Sequence, residues 1–422
     1  ELSSWNAVSY TSVTVTAAHG FYLPGSTMTT ISRSSAQASG ATFAALYLAG
    51  ASSNTFTVLL ASNPAGFGIE LVSGSDNNTI SLSTMMVDGS ITRHALYILG
   101  SASNTVTGSY LYSPTGYTAY LDTNANFNTI AYSTIANATA AAAQPALRLV
   151  NAVGNMVDRS LIVNPLANAL GAFFSSYNAF TQSSILGGTA RSGFVLNTGS
   201  SSNTVTACLI TGTVSALNLV GANYNTISQS TILGTDKGLL ATSNSTGNVL
   251  TGNFITAQTS YGAEFSGVSN LNTISLSTIT SNAAALPALF ISGSSSNTIF
   301  GAYVQASTAV FITNSTGTSI NSSLLVAVSV TGDGLFLTGG SGNLTLASST
   351  ARGGSVGRGL ALDIGNTGVV SIGSVTVTGA AHGLEISTQG VLFSLVVDSI
   401  SFGGLAPGAT AVHFTGGTFV AT

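Results

Sequence analysis

"YNTISQSTILG", residues 224–234, is one statement of a phrase that the chain repeats: "NNTISLSTMM" at 77–86, "FNTIAYSTIA" at 127–136, "LNTISLSTIT" at 271–280. In each, apolar residues stand two and seven places after the Asn, as in Ile227/Ile232, Ile274/Ile279, Ile80/Met85, Val106/Leu111, Ile130/Ile135 and Val205/Ile210. Side chains alternate along an extended strand, so an odd separation of five cannot keep both residues on one face. A bend must lie between them. A Ser recurs just after that bend, at Ser83, Ser109, Ser133, Ser230 and Ser277. Asn tolerates the left-handed backbone that tight bends require, so each repeat is predicted to be two or three short strands joined by bends.

The repeat has a period. The opening residues are Asn54, Asn78, Asn104, Asn128, Asn155, Asn178, Asn203, Asn225, Asn248, Asn272, Asn297 and, after a double gap, Asn343. A second column runs through small residues that precede an apolar-x-apolar triplet, among them Gly20, Ala45, Gly68, Ala95, Ala119, Ala146, Gly334, Gly359, Gly383 and Ala411. Together they predict about 17 repeats of roughly 24 residues, a solenoid period. Asn-Gly, the strongest short hairpin signal, never occurs, which argues against an antiparallel sandwich and for coils that pair in parallel.

On the phrase "YNTISQSTI" and its copies, the chain resembles the right-handed parallel β-helix superfamily, the pectin-lyase-like fold, and within it a non-catalytic, surface or adhesin-like branch. The expected fold is all-β: one right-handed parallel β-helix over residues 1–422 without an internal linker. Coils about 4.8 Å apart would give a rod of ~80 Å. Such a fold hosts enzymes, tailspikes and adhesins alike. The polygalacturonase-like members carry Asn-Thr-Asp, a double Asp and Gly-His-Gly, none of which stands here. Pectate-lyase-like members cluster acids around calcium, and twelve acids spread over 422 residues form no such cluster.

Composition narrows the function further. Only 5% of residues are charged, against about 25% in ordinary domains. Hydroxyls and amides must therefore cover the surface. Eight scattered Lys and Arg with a net charge of −4 give no footing for nucleic acid. One cysteine, Cys208, excludes an internal disulfide; it falls in the Ser column and is expected to be buried and inert. No apolar run reaches the roughly 18 residues needed to span a membrane. The absent Met start and the hydroxyl-rich surface point to export, as a mature product or a piece of something longer.

Chemistry must be sought down the columns. The residue before the small anchor is Asp333, Arg358 and His382 on three successive coils, with Glu385 close by. Acid, base and cation within ~10 Å could perform acid–base work. The same column elsewhere holds His19, His94 and Lys237 among Pro, Ser and Thr, the mixture of a tolerant exposed position. The adjacent pair Asp158-Arg159, as strand neighbours, should face opposite ways. Neither a metal site nor a cofactor is expected.

The outward position of the triplet reads Tyr22, Tyr47, Glu70, Tyr97, Tyr120, Arg148, and later Phe290, Phe311 and Phe336. Exposed aromatic rows stack on sugar rings or meet another protein surface. Thr-x-Thr triplets, which order water on ice-binding solenoids, occur at 14–16, 204–206 and 376–378 and are not expected to stack on consecutive coils. "SVTVTAAHG" at 12–20 returns as "SVTVTGAAHG" at 374–383, and strand-like pattern continues to the last residue. No amphipathic helix closes either end, so the ends should join head to tail with other copies or continue into a longer array. The expected function is a non-catalytic extracellular structural protein, a filament subunit or adhesin stalk whose partner is itself. The alternative is a β-helix that binds or cleaves polysaccharide.

Overall fold

The phrase folds as the spacing demands. A computed structural model describes residues 4–88, 92–138, 144–390 and 392–416; the strand expected over 417–422 lies outside them. They form a parallel β-solenoid of about 17 turns with roughly 24 residues per turn, and no helix occurs among the described residues. The chain divides into two compact units, Glu1–Thr213 and Val214–Thr422.

Most coils carry two short strands from the Asn phrase and a third from the apolar triplet; in two coils of the first unit the first two run together as Thr30–Ala38 and Thr55–Asn63. In the first unit Thr79–Ser81, Thr84–Val87 and Leu96–Leu99 are one such set; in the second, Thr273–Ser275, Thr278–Ser281 and Pro287–Ser292 are another. Like residues pair with like. Ile80 lies against Val106, Val106 against Ile130, and Ile130 against Val157. In the second unit Leu250, Ile274 and Ile299 repeat the pattern. All of these are buried, together with Ile135, Ile162, Ile279 and Val304, so the core is a narrow stack of aliphatic side chains.

The bend expected between the two apolar residues lies just before the recurring Ser, and a further bend opens the phrase. The left-handed residue is the one before the ladder Asn: Ser53, Asn77, Ser103, Phe127, Tyr177, Tyr224, Leu271 and Ser296 have φ between 56° and 59°. The Asn itself turns inward, because its amide has work there. Asn78 donates from its backbone N–H (2.9 Å) and from Nδ2 (3.0 Å) to Oδ1 of Asn104, and Asn104 does the same to Asn128 at 2.9 and 3.0 Å. The ladder runs from Asn54 to Asn203 in the first unit and from Asn225 to Asn297 in the second. The other Nδ2 hydrogen caps a carbonyl of the preceding coil, as from Asn178 to Ala152 at 3.0 Å and from Asn272 to Ser245 at 2.9 Å. Bends interrupt the strand ladder, and the amides satisfy the backbone groups left there, which would otherwise be buried unpaired.

The recurring Ser serves the second bend, where Leu82, Tyr132, Gln182, Gln229 and Leu276 take φ of 47° to 50°. Oγ of Ser109 accepts from the Ser83 N–H at 3.1 Å, and Ser133 from Ser109 at 3.1 Å. Cys208 replaces Ser in this column as expected. It is 2% exposed, its Sγ reaches the Phe180 and Thr206 carbonyls at 3.4 Å, and burial raises its thiol pKa.

Register corrects two anchors. Asn343 is not a rung: Thr318 pairs into the column followed by Leu344, while Asn343 is the left-handed residue before it (φ 49°). Ala119 likewise lies opposite Leu96 and Leu147 in the core, and Thr118, fully buried with Oγ1 donating to the Ala136 carbonyl at 2.8 Å, holds the anchor position.

Candidate functional site

In the first unit the third strand of each coil turns one side chain outward, and parallel register stacks Tyr22 on Tyr47, Tyr47 on Glu70, Glu70 on Tyr97, Tyr97 on Tyr120 and Tyr120 on Arg148. The rings cover one another. Tyr22 and Tyr47 stack at 5.6 Å with His19 against Tyr47 at 4.3 Å, and Tyr97 lies 5.5 Å from Tyr120. Arg148 spreads over Tyr117 (4.7 Å), Phe173 (5.0 Å) and Tyr120 (5.4 Å), contacts in which the guanidinium is held by the ring faces. Only Tyr22, at 58%, remains widely exposed.

Charge inside this column is unusual. Burial raises the Glu70 carboxyl to about 7, against a smaller opposing pull from Arg93. Burial lowers the His94 pKa to about 3, with Arg93 acting in the same direction. His94 is 5% exposed and packed among Phe67, Tyr97, Tyr117 and Tyr120, so its column is not the tolerant exposed position that its composition suggested. Burial and then Asp122 raise the phenols of Tyr97 and Tyr120; the Tyr97 hydroxyl donates to Asp122 at 3.2 Å.

In the second unit Phe290, Phe311 and Phe336 stack in register, with Tyr261 on Phe290 at 4.7 Å. The Arg358 guanidinium covers Phe336 at 5.0 Å. Here the sequence-derived triad comes together. Arg358 donates through Nε (2.9 Å) and Nη2 (2.8 Å) to the two oxygens of Asp333, and through Nη1 to Oε1 of Glu385 at 2.8 Å. Asp333, 6% exposed, also accepts the Arg358 backbone N–H at 2.9 Å. Burial works against the Arg358 cation, but the hydrogen bonds to Asp333 and Glu385 outweigh it and raise its pKa. Burial likewise opposes the Glu385 charge, and the bonds from Arg358 and His413 prevail, so its pKa falls.

His382 reaches Oε2 of Glu385 at 3.9 Å, and His413 Nδ1 approaches the same oxygen at 3.1 Å. The two imidazoles stack at 4.3 Å with planes 15° apart. His413 was not among the residues singled out from sequence. The signal was present: it stands two places after the anchor Ala411, as Glu385 does after Gly383, and the two pair directly. What the cluster can do follows from its bonds. Asp333 is engaged in a two-pronged ion pair and offers no free base, whereas the Glu385 oxygen between the imidazoles is open to a further partner.

Other expectations change. Lys237 bridges Asp236 (3.2 Å) and Glu264 (3.7 Å). Arg159 meets Asp158 at 3.5 Å because Arg159 sits at a bend with φ 44° and not in a strand. Hydroxyl ranks do stack on consecutive coils: Thr55 and Thr57 lie over Thr79 and Ser81, and these over Thr105 and Thr107, before Ala131 and Met156 break the pattern.

Residues 94–255 match the family described as the right handed beta helix region. No curated protein sequence matches the chain. Among solved structures, the mannuronan C-5 epimerase A-module of Azotobacter vinelandii is 12% identical, with 87% of this chain and 90% of that one covered at a TM-score of 0.38. A surface adhesin of Streptococcus pneumoniae is 10% identical over 91% and 85%, TM-score 0.39. Tailspike protein 3 of bacteriophage CBA120 is 10% identical over 89% and 57%, TM-score 0.44. The strand register makes the chain a parallel β-solenoid, and its residues 94–255 match the right-handed β-helix family.

Proposed function

We propose that the protein is a non-catalytic, extracellular structural element that assembles with other copies of itself, as a filament subunit or the stalk of a surface adhesin. The observation that carries this reading is the ion pair of the second unit: Arg358 donates to both oxygens of Asp333, so this acid and cation neutralise one another and leave no free base there. Outward aromatic columns in each unit, Tyr22 on Tyr47 and Phe290 through Phe311 to Phe336, offer faces on which a second copy can pack.

Sedimentation velocity and negative-stain microscopy of the untagged protein over a wide concentration range test the reading. Concentration-dependent assemblies larger than the monomer are expected. Monomers at every concentration would remove self-association. A second reading, glycan binding, is favoured by the exposed ring of Tyr22 stacked flat on Tyr47. Aromatic pairs of this kind hold sugar faces, and a glycan array with Tyr22→Ala as control distinguishes it. Turnover of a polysaccharide that disappears in His382→Ala would instead make the protein an enzyme.

A further inference from the structure

We propose that His382, Glu385 and His413 form a binding site for a first-row divalent cation of the zinc type. The three side chains come from two adjacent coils of the second unit, and one ligand atom from each, the two imidazole nitrogens and a Glu385 oxygen, all lie within 4.8 Å of one another. In a tetrahedral site with bonds of about 2.0–2.1 Å, ligand atoms stand about 3.4 Å apart. The separations of Glu385 Oε2 from His413 Nδ1 and His382 Nε2, 3.1 and 3.9 Å, bracket that value. The three atoms span up to 4.8 Å, so closing the site takes rotation of the imidazoles about their side-chain bonds.

The surroundings are organised for a cation. Asp333 fixes Arg358 by two hydrogen bonds, and Arg358 fixes Oε1 of Glu385 at 2.8 Å, which leaves Oε2 aimed between the imidazoles. Outer partners that orient a ligating carboxylate in this way tune metal affinity by about 10–100-fold. Charge counts in the same direction. Two carboxylates face one guanidinium, so one negative charge is left beside the two rings. The two rings stack at 4.3 Å, 15° from parallel, so one imidazole must turn out of the stack before both nitrogen lone pairs, which lie in the ring planes, point at one ion.

Two imidazoles and one carboxylate suit zinc, cobalt or nickel and are a poor set for calcium or magnesium, which prefer oxygen. Three protein ligands leave a fourth position for water or an outside donor. One support is missing: the buried Nδ1 of His382 has no hydrogen-bond partner, whereas ligating imidazoles usually donate from the second nitrogen. This places the site with exchangeable cations more than with tightly held structural ones.

The test is calorimetric titration of untagged protein with zinc chloride, with cobalt(II) as a spectroscopic probe. Saturable binding of one ion per chain is expected, with cobalt giving visible ligand-field bands that zinc bleaches. His413→Asn keeps a side chain able to hydrogen-bond Glu385 but removes the imidazole, and should weaken binding at least on the order of 100-fold. His382→Ala should do the same, with circular dichroism verifying the fold of both. Absence of saturable binding, or binding unaltered in His413→Asn, would overturn the site; the second result would assign the ion to other residues. Because assembly is read separately by sedimentation, loss of the metal site and loss of self-association are distinguishable.

Discussion

A buried amide decides each coil. Ladder Asn residues cap two donors of the coil before and one carbonyl further back, so replacing one leaves several polar groups without partners. Asn104→Ala would orphan both donors of Asn78, and unsatisfied buried donors cost about 1–3 kcal/mol each. A loss of about 2–3 kcal/mol in denaturant unfolding is expected. The converse applies where the ladder stops. Nδ2 of Asn297 and Oγ1 of Thr318 are both buried without a partner. Thr318→Asn would supply the acceptor that Asn297 lacks and should stabilise by about 1 kcal/mol, read as a higher denaturant midpoint. The role of Asn was legible in the sequence as a column, though not as an inward amide, because propensity assigns Asn to the left-handed bend itself. Asn343 was misplaced for a reason the phrase contains: two places after it stands Thr345, and the aliphatic residue that follows the rung, Leu346, stands three places on.

At the level of strands, parallel pairing turns a scattered set of charges into two environments. Asp333, Arg358 and His382 could be aligned from their anchors; the first two meet directly, and His382 joins them through Glu385. The bidentate geometry and the stacked second imidazole could not, since side-chain direction across coils is set by packing. Burial of His94 was hidden likewise, because exposure depends on the rings of neighbouring coils. Glu70 and His94 make this measurable. Glu70 has a folded pKa raised from 4.5 to about 7, so its contribution to stability is full below 4.5 and is lost as pH rises towards about 7. His94 is opposite: its folded pKa is lowered from 6.5 to about 3, so stability is present above 6.5 and is lost as pH falls towards about 3. The two slopes oppose one another between 4.5 and 6.5 in the parent protein. Glu70→Gln removes one of them. Its melting temperature should gain on the parent progressively from pH 4.5 to about 7 and hold that gain above; parallel curves would show that Glu70 is solvated.

Across the whole molecule, one rule accounts for the composition: residues a coil apart lie over one another, so hydroxyls and amides bonded along the columns replace surface ions, and the inner faces stay aliphatic. Repeat architecture and coil length could be read from the spacing of Asn and small residues alone. The partner of the outward aromatic columns could not, because stacked rings offer the same faces to protein and to sugar. Register is the claim on which the ladders, the aromatic columns and the metal site all rest. It is tested most directly by cross-linking adjacent coils in a Cys208→Ser background, where Ser restores the column and leaves no native thiol. Thr273 and Thr298 are paired partners facing outward, and parallel strands about 4.8 Å apart fall within the Cα spacing of a disulfide. Mild oxidation of Thr273→Cys/Thr298→Cys should close an intramolecular disulfide, seen as a loss of two hydrogens in the intact mass. Thr273→Cys/Phe300→Cys, two residues out of register, should keep free thiols; closure of the second pair in preference to the first would contradict the coil.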